Sequence, residues 1–349
     1  MHRVINPATE ELLAELPLAT SADLDRALAA AHASWPAWRA LMPQARGKIL
    51  KRAADLIREA LGADAEVRFL PSGTAANALA VATLAQPHEA VLAHQHAHIC
   101  TDETGAPGFF GAGVGLITLP GASGKIEAAA LRAALEQPDV SYRQPAAALS
   151  LTQATEYGTV YTAEELRELI APAKAKGYGV HLDGARLANA VAAGFPLRDI
   201  VGLGVDMLVM GGTKAGLPLS EALVVFNPAL NRRLDARLKH AGQLPSKGRF
   251  LSAPWIGVLE SGAWPNRSAH ANAMAQRLAQ AVRSRTRFAI NHPVQANAIF
   301  IDMDAEALAR LQASGWFVYR FLDGSVRLMC SWATTEGAVD AFAETLAAL

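Results

Sequence analysis

Cysteine is nearly missing: the 349 residues hold only Cys100 and Cys330, far apart in the chain. Two such residues argue against a disulfide framework and against a zinc cluster, and Cys330, inside an apolar run, reads as a small core residue. Long apolar runs are missing too. Hydrophobic residues make up 51% of the chain, yet no stretch approaches the ~18 consecutive apolar residues of a membrane helix. The opening MHRVIN has no signal-peptide apolar core. Neither sign of charge is in excess, with 32 basic and 32 acidic side chains, so the balance calls for neither nucleic acid nor an anionic membrane. The expectation is a soluble cytoplasmic protein with no nucleic-acid or membrane partner, long enough for roughly two domains at ~150 residues each.

Residues 1–60 form a segment of their own. Residues 11–18 alternate in strand fashion, Ser21 is positioned as an N-cap, and Leu24, Ala27, Leu28 and Ala31 recur at helical spacing as far as Trp35 and Pro36. A second helix is expected over 44–60. The run INPATEELLAELPLATSADLDRALAAAHASWPAWRALMPQARGKILKRAADLIREA resembles the amino-terminal opening of the aldehyde dehydrogenase superfamily. That family's nucleophilic-cysteine and cofactor-binding motifs do not occur downstream, so no dehydrogenase activity is carried over.

From residue 61 the chain alternates short apolar runs with helical patterns, as a mostly parallel sheet with helices on both faces requires. Strands are expected near 66–70, 90–93, 114–119, 146–151, 179–182, 206–210 and 223–226, and helices over 126–135 and 164–176. The last hundred residues change rhythm, with strands expected at 298–302, 316–321 and 326–332 and helices at 305–313 and 336–349. The pattern predicts an α/β large domain over 61–240 followed by a small α+β domain over 241–349.

Three strand ends carry chemistry. After the strand at 66–70, the turn Pro71-Ser72-Gly73-Thr74 opens an alanine-rich helix, so free amides, a helix dipole and two hydroxyls could face a phosphate, although such residues commonly only cap. The strand at 179–182 delivers Asp183, and the strand at 206–210 runs into Gly211-Gly212-Thr213-Lys214. A lysine walled by apolar residues loses amine basicity through desolvation and can form an imine with a carbonyl compound, of which pyridoxal phosphate is the obvious candidate; otherwise Lys214 is a surface lysine. Asp183 would then supply the anion that keeps the pyridine nitrogen protonated, and Ser72, Gly73 and Thr74 would hold the phosphate. Both strand ends lie on one rim of the expected sheet.

His94, His96 and His98 alternate on what reads as an extended segment. No fitting carboxylate pattern accompanies them, so no metal site is expected; one ring stacked on a planar cofactor explains as much. Arg327 stands inside the apolar run 326–332 and needs a carboxylate, either a protein acid or an amino-acid substrate.

The motifs PSGTAANALA, AHICTDETGAP, SLTQATEYGTVYTAEEL, HLDGARLANA, MGGTKAG and VRLMCSWATT together resemble the threonine aldolase and β-eliminating lyase family of fold-type I enzymes that use pyridoxal 5′-phosphate (PLP). The resemblance covers some four fifths of the chain, from about residue 61. It implies that Lys214 is the Schiff-base lysine, Asp183 the partner of the pyridine nitrogen and His98 the ring stacked on PLP. It further implies that Ser72, Gly73 and Thr74 bind phosphate, that Arg186 lies beside the cofactor and substrate, and that Arg327 binds the substrate carboxylate. Cleavage of a β-hydroxy-α-amino acid to glycine and an aldehyde, by a homodimer or homotetramer, would follow.

The chain departs from the family in two places. Thr155 stands where many threonine aldolases carry a histidine, a variant similar to the phenylserine-aldolase branch. The family's own amino-terminal Ser-Asp segment is replaced by the dehydrogenase-like one. The same site also admits β-elimination or racemisation at Cα, or PLP binding with impaired turnover.

Overall fold

Seven strands of the expected sheet form in the computed structural model, which describes residues 2–5, 11–16 and 18–349. The chain divides into two units, Met1–Arg52 and Ala53–Leu349. In the first, β1 (His2–Ile5) pairs antiparallel with β2 (Leu12–Leu16), and α1 spans Ser21–Ala40. The N-cap of α1 is Thr20 rather than Ser21: its hydroxyl accepts from Asp23 N while the Asp23 carboxylate accepts from Thr20 N, a reciprocal box that Ser21 has no acid three residues on to complete. Nor does the helix stop at Pro36, which it carries in its interior. The second helix, α2 (Pro43–Leu61), brings Ala53, Ile57 and Leu61 at four-residue spacing into the core of the second unit.

That unit is built on β3 (Glu66–Leu70), β4 (Ala90–His94), β5 (Gly115–Leu119), β6 (Ala146–Thr152), β7 (Gly179–Gly184), β8 (Met207–Gly211) and β9 (Glu221–Val225). Their order is β3-β9-β8-β7-β6-β4-β5. The β8-β7, β7-β6, β6-β4 and β4-β5 pairings are parallel, whereas β9 runs against both β8 and β3. Strands β4, β7, β8 and β9 are buried almost throughout, which is why they read as unbroken apolar runs.

Alternation across β8 divides the two faces. Met207 and Val209 meet α3 (Gly73–Leu84), while Leu208 and Met210 meet the core that contains the helix Ala163–Ala175. On β7, Val180 and Leu182 join the latter core, so His181 and Asp183 point to the α3 side. Alanines make α3 slim enough to lie close on the sheet, and Ala75 through Ala82 are all buried.

A separate core gathers Met274, Leu278, Val282, Ile299, Leu328 and Phe342 in the carboxyl-terminal region. It covers a sheet ordered β10-β12-β11, with β10 at Ala298–Ile301, β11 at Tyr319–Arg320 and β12 at Val326–Met329. The last two strands are shorter than 316–321 and 326–332. The chain turns back at Phe321, whose N–H donates to Ser325 O, and beyond Met329 the Asn297 side chain takes over by donating to Cys330 O. Among the described residues no helix is long and apolar enough to cross a membrane.

Candidate active site

The carboxyl ends of the parallel strands form one rim, where an open α/β sheet binds its ligands. At the end of β8 the chain turns through Gly211 and Gly212 into the 3-10 segment Thr213–Ala215, which carries Lys214. The two glycines are required by close approach: a Cβ at Gly211 would run into the Ala185 carbonyl, and one at Gly212 into the Ser220 carbonyl. Trp264 Nε1 donates to Gly211 O at 2.8 Å, Glu221 Oε2 accepts from Gly212 N at 2.7 Å, and Thr213 Oγ1 accepts from Ser220 N at 3.3 Å. The turn is therefore held on three sides.

Lys214 is densely surrounded yet reachable by water, because it stands in the wall of an open cavity. Its amine is held below the ordinary lysine range, chiefly by the Arg186 guanidinium and secondarily by burial, against the opposing pull of Glu156, Asp183 and Glu221. Sequence reasoning expected desolvation alone; the guanidinium is the larger cause.

The cavity has a volume of about 490 Å³, and His98, Glu156, Arg186, Lys214, Tyr319, Phe321 and Arg327 line it. Four of the residues singled out in the sequence thus meet in one space. Arg186, at the start of the helix Leu187–Ala192, faces Glu156 Oε2 at 3.5 Å, and both are buried. Arg327 NH1 lies 3.4 Å from Tyr319 Oη, its guanidinium sits 5.0 Å from the Phe321 ring centroid, and its buried Nε has no partner among the described residues. Burial, and after it Arg186, oppose the Arg327 charge. A larger cavity of about 640 Å³ opens beside Phe195 and Gln276, but its only carboxylates are Glu164 and Asp199 and no cation lines it. Four residues singled out in the sequence line the smaller one.

Asp183, 1% exposed, sits at the end of β7. Its Oδ1 accepts from Ala185 N at 2.9 Å and its Oδ2 from Asn77 Nδ2 at 3.0 Å. The same Asn77 amide donates to Glu103 Oε1 at 2.9 Å, and that oxygen lies 2.9 Å from His98 Nδ1. A continuous chain of hydrogen bonds therefore joins Asp183, Asn77, Glu103 and His98. The Glu103 bond raises the His98 pKa against the effect of burial; burial raises that of Glu103, offset in part by its bonds from His98 and Asn77.

Ser72, Gly73 and Thr74 do not line the cavity. They form the start of α3, one turn before Asn77, with Ser72 Oγ accepting from Ala75 N at 3.5 Å as an N-cap. A Cβ at Gly73 would meet nothing within 4 Å, so the space beside that residue is open.

The three histidines do not share an extended segment. His94 ends β4, its carbonyl accepts from Ala97 N as the chain turns, and His98 begins a short helix. His96 Nδ1 lies 2.7 Å from Tyr157 Oη, and His94 Nε2 is 2.9 Å from Gly121 O. Among the described residues no group of three or more His, Cys, Asp or Glu is arranged to hold a metal. Thr155 is buried at 1% exposure, with its hydroxyl 2.7 Å from Thr159 Oγ1 and 3.1 Å from Ser123 O.

Sequence reasoning assigned nothing to Asn77, Glu103 and Glu156. Asn77 left one signal, the lone amide side chain in an alanine-rich helix.

Comparison with known proteins adds an independent line. The β-eliminating lyase family matches residues 45–306. The low-specificity L-threonine aldolase of a Pseudomonas species is 43% identical over 302 residues, covering 85% of this chain and 87% of that protein. The solved threonine aldolase of Leishmania major superposes with a TM-score of 0.79 at 33% identity, covering 84% of this chain and 87% of that one. The aldehyde dehydrogenase family matches residues 1–86. A betaine aldehyde dehydrogenase of Rhizobium leguminosarum is 49% identical over 67 residues, which is 19% of this chain but only 14% of that enzyme.

Proposed function

The chain belongs to the β-eliminating lyase family, and from that premise we propose that it cleaves β-hydroxy-α-amino acids of the threonine, allo-threonine and phenylserine type to glycine and an aldehyde, with PLP as cofactor. The observation that carries this reading is the convergence of Lys214, Arg186, Arg327 and His98 on one cavity at the end of β8, with Asp183 buried beside them at the end of β7.

The residues fit the cofactor. Asp183 is a buried carboxylate whose hydrogen bonds come from an amide and a backbone N–H, not from a protein cation, as a partner for a pyridinium nitrogen would be. The open space over Gly73 suits a phosphate at the start of α3. Lys214 would hold the aldehyde carbon and His98 would lie on the ring face. When bound, PLP supplies a protonated ring that draws off the electron pair released at Cα.

The chain's own side chains do the rest. Arg327, with its unpartnered Nε, and Arg186 bind and orient the substrate carboxylate. Asp183 would keep the ring nitrogen of bound PLP protonated. Lys214 Nζ, its charge opposed by Arg186, can exchange a proton at Cα.

The division into a dehydrogenase-like segment over 1–60, a large domain over 61–240 and a small domain over 241–349 is also proposed; the separate core around Ile299 and Leu328 supports the small domain, whereas Ala53 and Ile57 of the first segment pack in the core of the large one. So is assembly as a homodimer or homotetramer proposed, which would cover exposed apolar side chains such as Phe109, Leu219 and Phe250. The test is a visible spectrum of purified protein with PLP, followed by aldehyde release from threonine and phenylserine. An absorption band with release of aldehyde is expected; a protein that takes up no PLP, or takes it up and releases none, contradicts the reading.

A further inference from the structure

The cavity is rich in cations and poor in acceptors. His98, Arg186, Lys214 and Arg327 bring donors, and only Asp102 and Glu156 bring carboxylates. Asp102 is exposed and accepts from the Thr101 hydroxyl at 2.7 Å. Glu156 is 5% exposed, its one ion-pair contact among the described residues is the 3.5 Å approach to Arg186, and its negative charge bears on His98, Lys214 and Arg327 alike. It stands among the groups that would surround a substrate.

A β-hydroxy-α-amino acid brings three polar groups to this space. Its carboxylate matches the arginines and its amine belongs with the cofactor. The remaining hydroxyl is a donor and needs an acceptor inside the cavity. Thr155 cannot serve, since its hydroxyl is buried between Thr159 and Ser123 O; His98 gives Nδ1 to Glu103, and that bond favours the protonated ring, whose remaining Nε2 is a donor and not an acceptor.

We propose that Glu156 is the catalytic residue that binds the substrate's β-hydroxyl and accepts its proton as the Cα–Cβ bond breaks. This rests on the aldolase reading above and names the base within it. The O–H bond breaks and its proton passes to the Glu156 carboxylate; the oxygen's electron pair completes the aldehyde C=O. The Cα–Cβ pair stays with Cα, where one proton is taken up to give glycine, so the sum needs no oxidant, reductant or further reactant. Arg186, beside Glu156, holds the carboxylate in place between turnovers.

The discriminating variant is Glu156→Gln, which keeps the shape and a hydrogen-bonding oxygen but removes the basic charge, with Glu156→Asp as a charge-retaining companion. Aldehyde release from threonine is expected to fall by about 10²-fold or more in Glu156→Gln, the range for loss of a general base, and to recover partly in Glu156→Asp. Exchange of glycine Cα hydrogens with deuterated water, followed by NMR, should persist in both, because glycine has no β-hydroxyl.

A binding readout stands apart from turnover. In the Lys214→Ala background loaded with PLP, calorimetry should show threonine bound more tightly than 2-aminobutanoate, and Glu156→Gln should erase most of that preference. Aldehyde release by Glu156→Gln within a few-fold of wild type, or an unchanged preference for threonine, would overturn the assignment. If the wild-type protein releases no aldehyde while the Glu156-dependent preference persists, the aldolase reading fails and Glu156 survives only as a hydroxyl-binding group, which overturns its role as a base.

Discussion

The side-chain amide of Asn77 donates to Asp183 Oδ2 at 3.0 Å, tying the second turn of α3 to the end of β7. Its other hydrogen goes to Glu103 Oε1 at 2.9 Å. One neutral amide thus donates to two buried carboxylates and links the proposed partner of the ring nitrogen to the residue beneath His98. Replacing it with alanine strips a donor from each, and a buried acceptor left unpaired costs about 1–3 kcal/mol. Asn77→Ala should therefore lower the urea midpoint and weaken PLP retention together. A variant that loses neither would show the amide to be incidental.

The His98–Glu103 pair makes a pH prediction with a definite sign. An unfolded histidine titrates near ~6.5, and the bond to Glu103 raises His98 above that in the folded protein. The pair's contribution to stability is then fully present below pH ~6.5 and is lost as pH rises through the folded midpoint. The stability gap between wild type and Glu103→Gln should shrink as pH is raised from about 6 to 9, measured by urea titration. NMR of the cofactor-free protein should show His98 titrating lower in Glu103→Gln. A gap that widens with pH would contradict the assignment.

Gly211 tests the turn that presents Lys214. Any Cβ there meets the Ala185 carbonyl, a backbone atom that cannot step aside cheaply. Gly211→Ala should cost about 1–3 kcal/mol, as overpacking does, and should displace the turn that Trp264 fixes through its bond to Gly211 O. Loss of PLP affinity in a protein that still melts cooperatively is the expected result. Wild-type affinity in Gly211→Ala would show that the turn has slack.

Arg327 should act on substrate binding more than on the chemical step. A hydrogen bond to a charged group contributes about 1.5–3 kcal/mol, roughly tenfold to a hundredfold in affinity. Arg327→Gln should therefore raise KM for threonine over that range while leaving PLP absorbance in place. A fall in kcat with KM unchanged would move Arg327 out of the carboxylate site.

Much of this arrangement is legible in the sequence because strand ends are legible. Lys214 and Asp183 each follow a short apolar run, and glycines mark both turns, so their placement on one rim needs only the βα alternation. What depends on contacts across the chain stayed hidden. Asn77 and Glu103 are bonded across 26 residues, and Asn77 and Asp183 across 106; no local pattern announces either bond. The turn after His94 was hidden for a related reason, since alternation at His94, His96 and His98 looks like a strand until the bond from Ala97 N to His94 O is known. That Arg186 outweighs burial at Lys214 likewise needs the fold, because β7 and β8 must first be neighbours.

The central claim is that Lys214 carries the cofactor, and the direct measurement is reductive trapping. Purified protein loaded with PLP is treated with borohydride, digested and mapped by mass spectrometry. A single phosphopyridoxyl group on the peptide containing Lys214, absent from Lys214→Ala, is the predicted result. Labelling of another lysine in the wild-type protein, or an undiminished label in Lys214→Ala, would contradict it.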